Sequence, residues 1–218
     1  MNNKSETELK IAEFLLQIKA IKLQPSKPFT WASGWKSPIY CDNRVTLSHP
    51  AIRTYIRQKF SELIQDEFGS VSLIAGVATA GIPQGVLVAQ ELGLPFSYVR
   101  TTAKDHGRQN LIEGEVVGGQ RVVVIEDLVS TGQSSLKAVE ALREAGCDVV
   151  GLLSIFTYEL DAAKENFKKA KCRHLSLSNY NALIDFAIEH NYVSKDEART
   201  LQEWRKDPEH WNPAVTNE

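Results

Sequence analysis

The chain has 218 residues, 43% hydrophobic and 24% charged, ordinary values for a globular protein with a sizeable core. Its net charge of −2 announces no basic surface for nucleic acid or anionic lipid, and no apolar run reaches the ~18 residues of a membrane span. Cys41, Cys147 and Cys172, with no CxxC among them, imply reduced thiols in a cytoplasmic protein.

Ser5-Glu6-Thr7-Glu8 is a capping box, and the apolar spacing after it predicts a helix over about 6–19. Residues 23–44 are broken by proline, serine and glycine and studded with Phe29, Trp31, Trp35 and Tyr40. They suit a pair of short strands, their aromatics facing either a planar ligand or, as composition favours, the core. Ser48-His49-Pro50 should cap a helix over about 50–68, which Gly69 stops. Val71 to Val77 reads as a buried strand. The small residues of GVATAGIPQG, 76–85, allow close backbone approach to a ligand or tight helix–sheet packing. A helix to Leu92 and a strand over Phe96–Arg100 follow. Residues 101–115 are polar, with no apolar period, and read as a long loop.

Residues 122–134, VVVIEDLVSTGQS, organise the rest. Val122 to Ile125 predict a buried strand. Glu126 and Asp127 come at its end, then a loop from Leu128 to Gly132 and a helix over Gln133–Ala145. Carboxylates at the carboxyl end of a parallel strand lie where open α/β sheets bind ligands. The free N–H groups of the helix start would meet an anion at the same place. A ligand with an anionic face for Ser130, Thr131 and Ser134, and a hydroxyl-rich face for the carboxylates, is a sugar phosphate. No Gly-Lys-Ser/Thr and no GxGxxG is present, so neither a P-loop nor a dinucleotide fingerprint is read. Downstream come a strand over Val149–Phe156, a lysine-rich helix that looks like a solvated face, a strand over His174–Leu177, and helices over about 180–190 and from Ser194 to before Pro208. Trp204 and Trp211 read as packing residues. Alternating strands and helices predict a mainly parallel sheet with helices on both faces.

Residues 122–134 resemble throughout the 5-phosphoribosyl 1-diphosphate (PRPP) motif of type I phosphoribosyltransferases. A second signature, F-T-x-x-S-G-x-x-S-P-x-Y, carried by Phe29, Thr30, Ser33, Gly34, Ser37, Pro38 and Tyr40, resembles the orotate branch of that family. Arg100, Lys104, His106 and Gly107 are similar to its catalytic lid. Thr79, Ala80 and Thr101 stand where many relatives place cations or an aromatic residue.

The resemblance implies one phosphoribosyltransferase domain over 1–218, with a hood at about 20–45, a core sheet at about 70–178 and C-terminal helices at about 180–206. It implies transfer of the phosphoribosyl group from PRPP to orotate, giving orotidine 5′-monophosphate and pyrophosphate. The rival readings are transfer to another base and a non-catalytic PRPP sensor. Lys104, His106 and Asp127 are the implied catalytic residues. Arg100, Lys104, His106, Glu126, Asp127, Leu128, Val129, Ser130, Thr131, Gly132, Gln133 and Ser134 would hold PRPP, and Ser130 would lie near orotate. Mg²⁺ would be held mainly through PRPP and water, with no dedicated protein cage. The family pattern also implies a homodimer whose lid acts in trans, and a cis peptide bond between Ala78 and Thr79.

Overall fold

The computed structural model describes residues 5–31, 34–100 and 111–212. The first helix is α1 (Glu6–Gln17). Four short strands follow, β1 (Ile21–Leu23), β2 (Phe29–Thr30), β3 (Lys36–Ser37) and β4 (Ile39–Cys41), then a 3₁₀ turn at Asn43–Ser48. Next come α2 (Pro50–Phe68), β5 (Leu73–Val77), α3 (Gly81–Leu92), β6 (Phe96–Val99) and β7 (Ile112–Glu113). After them run β8 (Arg121–Val129), α4 (Gln133–Glu144), β9 (Asp148–Thr157) and α5 (Asp161–Lys169). The last elements are β10 (His174–Asn179), α6 (Tyr180–Glu189) and α7 (Lys195–Lys206).

Two compact units result. The first joins residues up to Thr46 with those from Ser178 onward, so the N-terminal segment and the C-terminal helices share a unit. The expected single pair of strands is instead two antiparallel ladders, β1 with β4 and β2 with β3. The turns at Pro25–Lys27 and around Gly34 keep each ladder to two or three residues, too short for a period-two pattern to show. Both predicted capping boxes form: Ser5 with Glu8 and Ser194 with Glu197. Trp204 is fully buried, meets Trp31 edge-on at 5.5 Å and donates its indole N–H to Lys36 O at 3.1 Å. It is a packing residue, as predicted.

The second unit, Leu47–Leu177, carries the six-stranded sheet, in the order β10-β9-β8-β5-β6-β7. The pairs β5–β6, β5–β8 and β8–β9 are parallel. Successive residues of a strand face opposite ways. Leu73, Ala75 and Val77 of β5, with Val122 and Val124 of β8, therefore share one face, buried with Ala138, Val139 and Leu142 of α4 and Phe167 of α5. Gly76 lies on the other face, against the start of α3. The mainly parallel sheet with helices on both faces is thus as expected. Each fully buried Val, Leu or Ile stabilises it by roughly 1.5–3 kcal/mol.

Three local expectations are corrected. Ser48 does not cap α2: it ends the 3₁₀ turn, His49 is the N-cap with no side-chain bond, and Pro50 occupies the first turn, where it needs no donor satisfied. The loop reading of 101–115 fails at its end, because Ile112 and Glu113 pair with Val99 and Tyr98 as an antiparallel edge strand. Two residues are too few to show a period. The acid pair is not beyond its strand: β8 continues through Val129, its ladder with β9 holding to Val129↔Thr157.

Candidate functional site

The ends of β5, β6 and β8 and the start of α4 form the candidate site. β8 runs on through the acids, and the carboxyl groups of Glu126 and Asp127 stay within hydrogen-bonding reach of each other. Glu126 turns under α4 and is 6% exposed. Its Oε2 accepts from Ser135 Oγ at 3.0 Å and its Oε1 accepts from the Asp127 N–H at 3.0 Å. Burial, reinforced by the neighbouring Asp127 charge, pushes its pKa up to about 9, because a carboxylate out of water is disfavoured. At neutral pH the pair therefore carries less than two negative charges. Asp127 is half-buried and is the more accessible of the two acids. The two acids thus differ in burial, a division the sequence pattern leaves invisible.

Beyond Val129 the chain turns through Ser130 and Thr131 to Gly132, which caps α4 in the left-handed conformation at φ 77°. A Cβ on Gly132 would lie 2.6 Å from the Phe167 ring, so glycine serves both the turn and the close approach. The carbonyl of Thr131 accepts from Asn166 Nδ2 at 3.0 Å. Residues of α5 thus brace the turn on two sides. Behind Phe167 the His174 ring is stacked at 4.6 Å, and His174 Nε2 lies 2.8 Å from Ser154 Oγ. The Ser130 and Thr131 side chains are half-buried, and Gln133 and Ser134 are exposed. Val129 gives its side chain to the core and its carbonyl to the Tyr158 N–H at 3.1 Å.

The 76–81 turn reaches the same place. The Ala78–Thr79 peptide bond is cis, as the resemblance implies. A Cβ on Gly81 would lie 2.3 Å from the Ile125 carbonyl oxygen, so the missing side chain lets α3 start against β8 beside the acids. Here the two readings of the small residues coincide: tight packing brings the turn to the site.

Between the start of α4 and the ends of β5 and β6 lies a cavity of about 310 Å³. Val77, Val99, Arg100, Thr131, Ser134 and Lys137 are among its lining residues, and among the described residues no carboxylate lines it. Arg100 is held by its backbone N–H donating to Leu111 O at 2.7 Å and by Glu113 at 3.5 Å. Lys104, His106 and Gly107 of the expected lid, and Ser33 of the N-terminal signature, lie outside the described residues. Among the described residues no group of three His, Cys, Asp or Glu side chains could hold a metal ion, and no helix is long and apolar enough to cross a membrane.

Sequence reading missed Lys137, Ser135 and Asn166. Lys137 was within reach, being one helical turn beyond Gln133 and Ser134. Asn166 gave no signal, since 35 residues separate it from Thr131.

The model of the phosphoribosyl transferase domain family matches residues 46–191. The chain is 58% identical to an orotate phosphoribosyltransferase of Phocaeicola vulgatus over 200 residues, 92% of this chain and 94% of that protein. It is 53% identical to that of Listeria innocua over 204 residues, 94% and 98% of the two chains. The crystal structure of orotate phosphoribosyltransferase from Aeropyrum pernix superimposes with a TM-score of 0.73 at 27% identity, covering 84% of this chain and 99% of that one. With this agreement over nearly the whole length, the chain belongs to the phosphoribosyl transferase family, among its orotate phosphoribosyltransferases.

Proposed function

We infer that this chain transfers the 5-phosphoribosyl group from PRPP to orotate, giving orotidine 5′-monophosphate and pyrophosphate in pyrimidine biosynthesis, and that its 218 residues work as a single phosphoribosyltransferase domain. The observation that carries the reading is the junction of β8 and α4. One buried acid, one half-buried acid and a braced hydroxyl- and glycine-bearing turn meet at a helix start there.

The reaction asks for positioning and charge rather than a side-chain nucleophile. C1′ of the ribose becomes cation-like as pyrophosphate leaves, and orotate N1 arrives on the opposite face. Asp127 accepts from the ribose hydroxyls and places negative charge near the developing cation. Glu126, fixed by Ser135, sets the position of the strand end and moderates the charge of the pair. The turn from Leu128 to Ser134 cradles the 5′-phosphate with backbone N–H groups and hydroxyls, and Ser130 lies near orotate. Arg100, Lys104 and His106 cover the pyrophosphate and exclude water.

A Mg²⁺ would be carried mainly by PRPP oxygens and water, as is usual for this ion. When bound it neutralises the pyrophosphate. The working form is a cytoplasmic homodimer, each lid closing over its partner's site.

Loss of orotate absorbance on adding PRPP tests the reading. Turnover with orotate, but not with uracil or purines, is expected. Turnover with another base would replace the acceptor, and PRPP binding without turnover would make the protein a sensor.

A further inference from the structure

Lys137 has no role in the site as the motif alone defines it. It lies on α4 one turn after Gln133 and Ser134, and all three line the 310 Å³ cavity. Residues i and i+4 stand one above the other on a helix, so Lys137 and Gln133 share a face. Lys137 is exposed, and among the described residues no carboxylate pairs with it.

Among the described residues the cavity's chemistry has one sign. Their polar groups are the Arg100 guanidinium, the Lys137 ammonium, the Thr131 and Ser134 hydroxyls and the Gln133 amide. All can donate to an anion. Of the two cations lining it among the described residues, Arg100 has Glu113 beside it at 3.5 Å. Lys137 has no carboxylate paired with it among the described residues and stands near the start of a twelve-residue helix, where the helix dipole favours an anion. The flexible stem of a lysine brings a compact charge to a phosphate without fixing its orientation.

We propose that Lys137 binds the 5′-phosphate of the phosphoribosyl group, adding a side-chain cation to a cradle otherwise made of N–H groups and hydroxyls. This rests on the phosphoribosyl-transfer reading and adds a residue outside the PRPP motif. The contact is present in substrate, transition state and product alike, so it acts on binding and hardly on the chemical step.

Calorimetric titration of the full-length protein with ribose 5-phosphate and, separately, with pyrophosphate tests it, using Lys137→Gln and Lys137→Arg. Lys137→Gln is expected to weaken ribose 5-phosphate roughly tenfold, the factor for ~1.4 kcal/mol, and to leave pyrophosphate unchanged. KM for PRPP should rise with kcat nearly constant, and Lys137→Arg should recover most of the affinity, which a merely structural role would not require. Unchanged ribose 5-phosphate affinity in Lys137→Gln overturns the proposal. So does a loss confined to pyrophosphate, which would turn the lysine toward the leaving group, or an equal loss for both anions, which would mark a diffuse field. A wild-type protein that bound neither anion nor PRPP would instead overturn phosphoribosyl transfer itself, and this proposal with it.

Discussion

Asn166 of α5 donates its side-chain amide to the carbonyl of Thr131 at 3.0 Å, and so ties the β8–α4 turn to a helix 35 residues further on. The bond fixes one of the carbonyls that would otherwise let the turn open. Asn166→Ala is expected to cost about 1 kcal/mol of stability, the net value of one such hydrogen bond. Its effect on PRPP affinity should be larger than on orotate affinity if the turn is the proposed phosphate cradle. Denaturant titration and separate KM determinations check both. Equal changes in the two KM values would show that the bond serves the fold alone.

The two acids should respond differently to removal of charge. Asp127→Asn is expected to keep the fold, weaken PRPP binding and abolish most turnover. Glu126→Gln should be milder, since Glu126 is already held neutral by burial and can be replaced by an amide of the same shape. PRPP calorimetry and kcat for the two variants decide the matter. A more severe loss in Glu126→Gln than in Asp127→Asn would reverse the assigned roles.

Stability should fall at both ends of the pH range for identifiable reasons. The folded pKa of Glu126 is raised to about 9 by burial and then by Asp127. Its contribution is therefore fully present below the unfolded value near 4.5 and is lost as pH rises toward 9. His174 is shifted the other way, to about 4, by burial behind Phe167. Its contribution is complete above about 6.5 and is lost as pH falls toward 4. Urea unfolding as a function of pH should show Glu126→Gln flattening the alkaline limb and His174→Phe flattening the acid limb. Unaltered limbs would mean that other groups govern them.

Gly81→Ala is expected to be disproportionately harmful for one methyl group. The added Cβ would sit 2.3 Å from the Ile125 carbonyl oxygen, a backbone atom that cannot swing aside. Overpacking of this kind costs about 1–3 kcal/mol, and the shift it forces falls on the strand end that carries Glu126 and Asp127. A thermal melt should show the loss, accompanied by reduced kcat/KM. Wild-type behaviour in both would mean that α3 moves away without affecting the acids.

Mixing two inactive variants should test the trans lid. In a heterodimer of Asp127→Asn with Lys104→Ala, one site carries both lesions and the other carries none. Random exchange gives about half heterodimers and so roughly a quarter of wild-type activity. No recovery after demonstrated subunit exchange would place the lid in cis or require both sites intact.

The sequence by itself determined the order of the longer strands and helices, the parallel sheet, the two serine capping boxes and the position of the β8–α4 turn. These depend on neighbours within one helical turn or one strand, where β-branched runs, glycine and capping residues act directly on the local backbone. Only the tertiary structure decided how the acid pair divides. β8 keeps its ladder with β9 through Val129, which puts Glu126 beneath α4 and leaves Asp127 half-buried beside it. Only packing brought Asn166 and Phe167 against Thr131 and Gly132, and Ile112 against Val99. Contacts between residues far apart in the chain arise from the closing of layers around a shared core, and no local pattern encodes which side chains then meet.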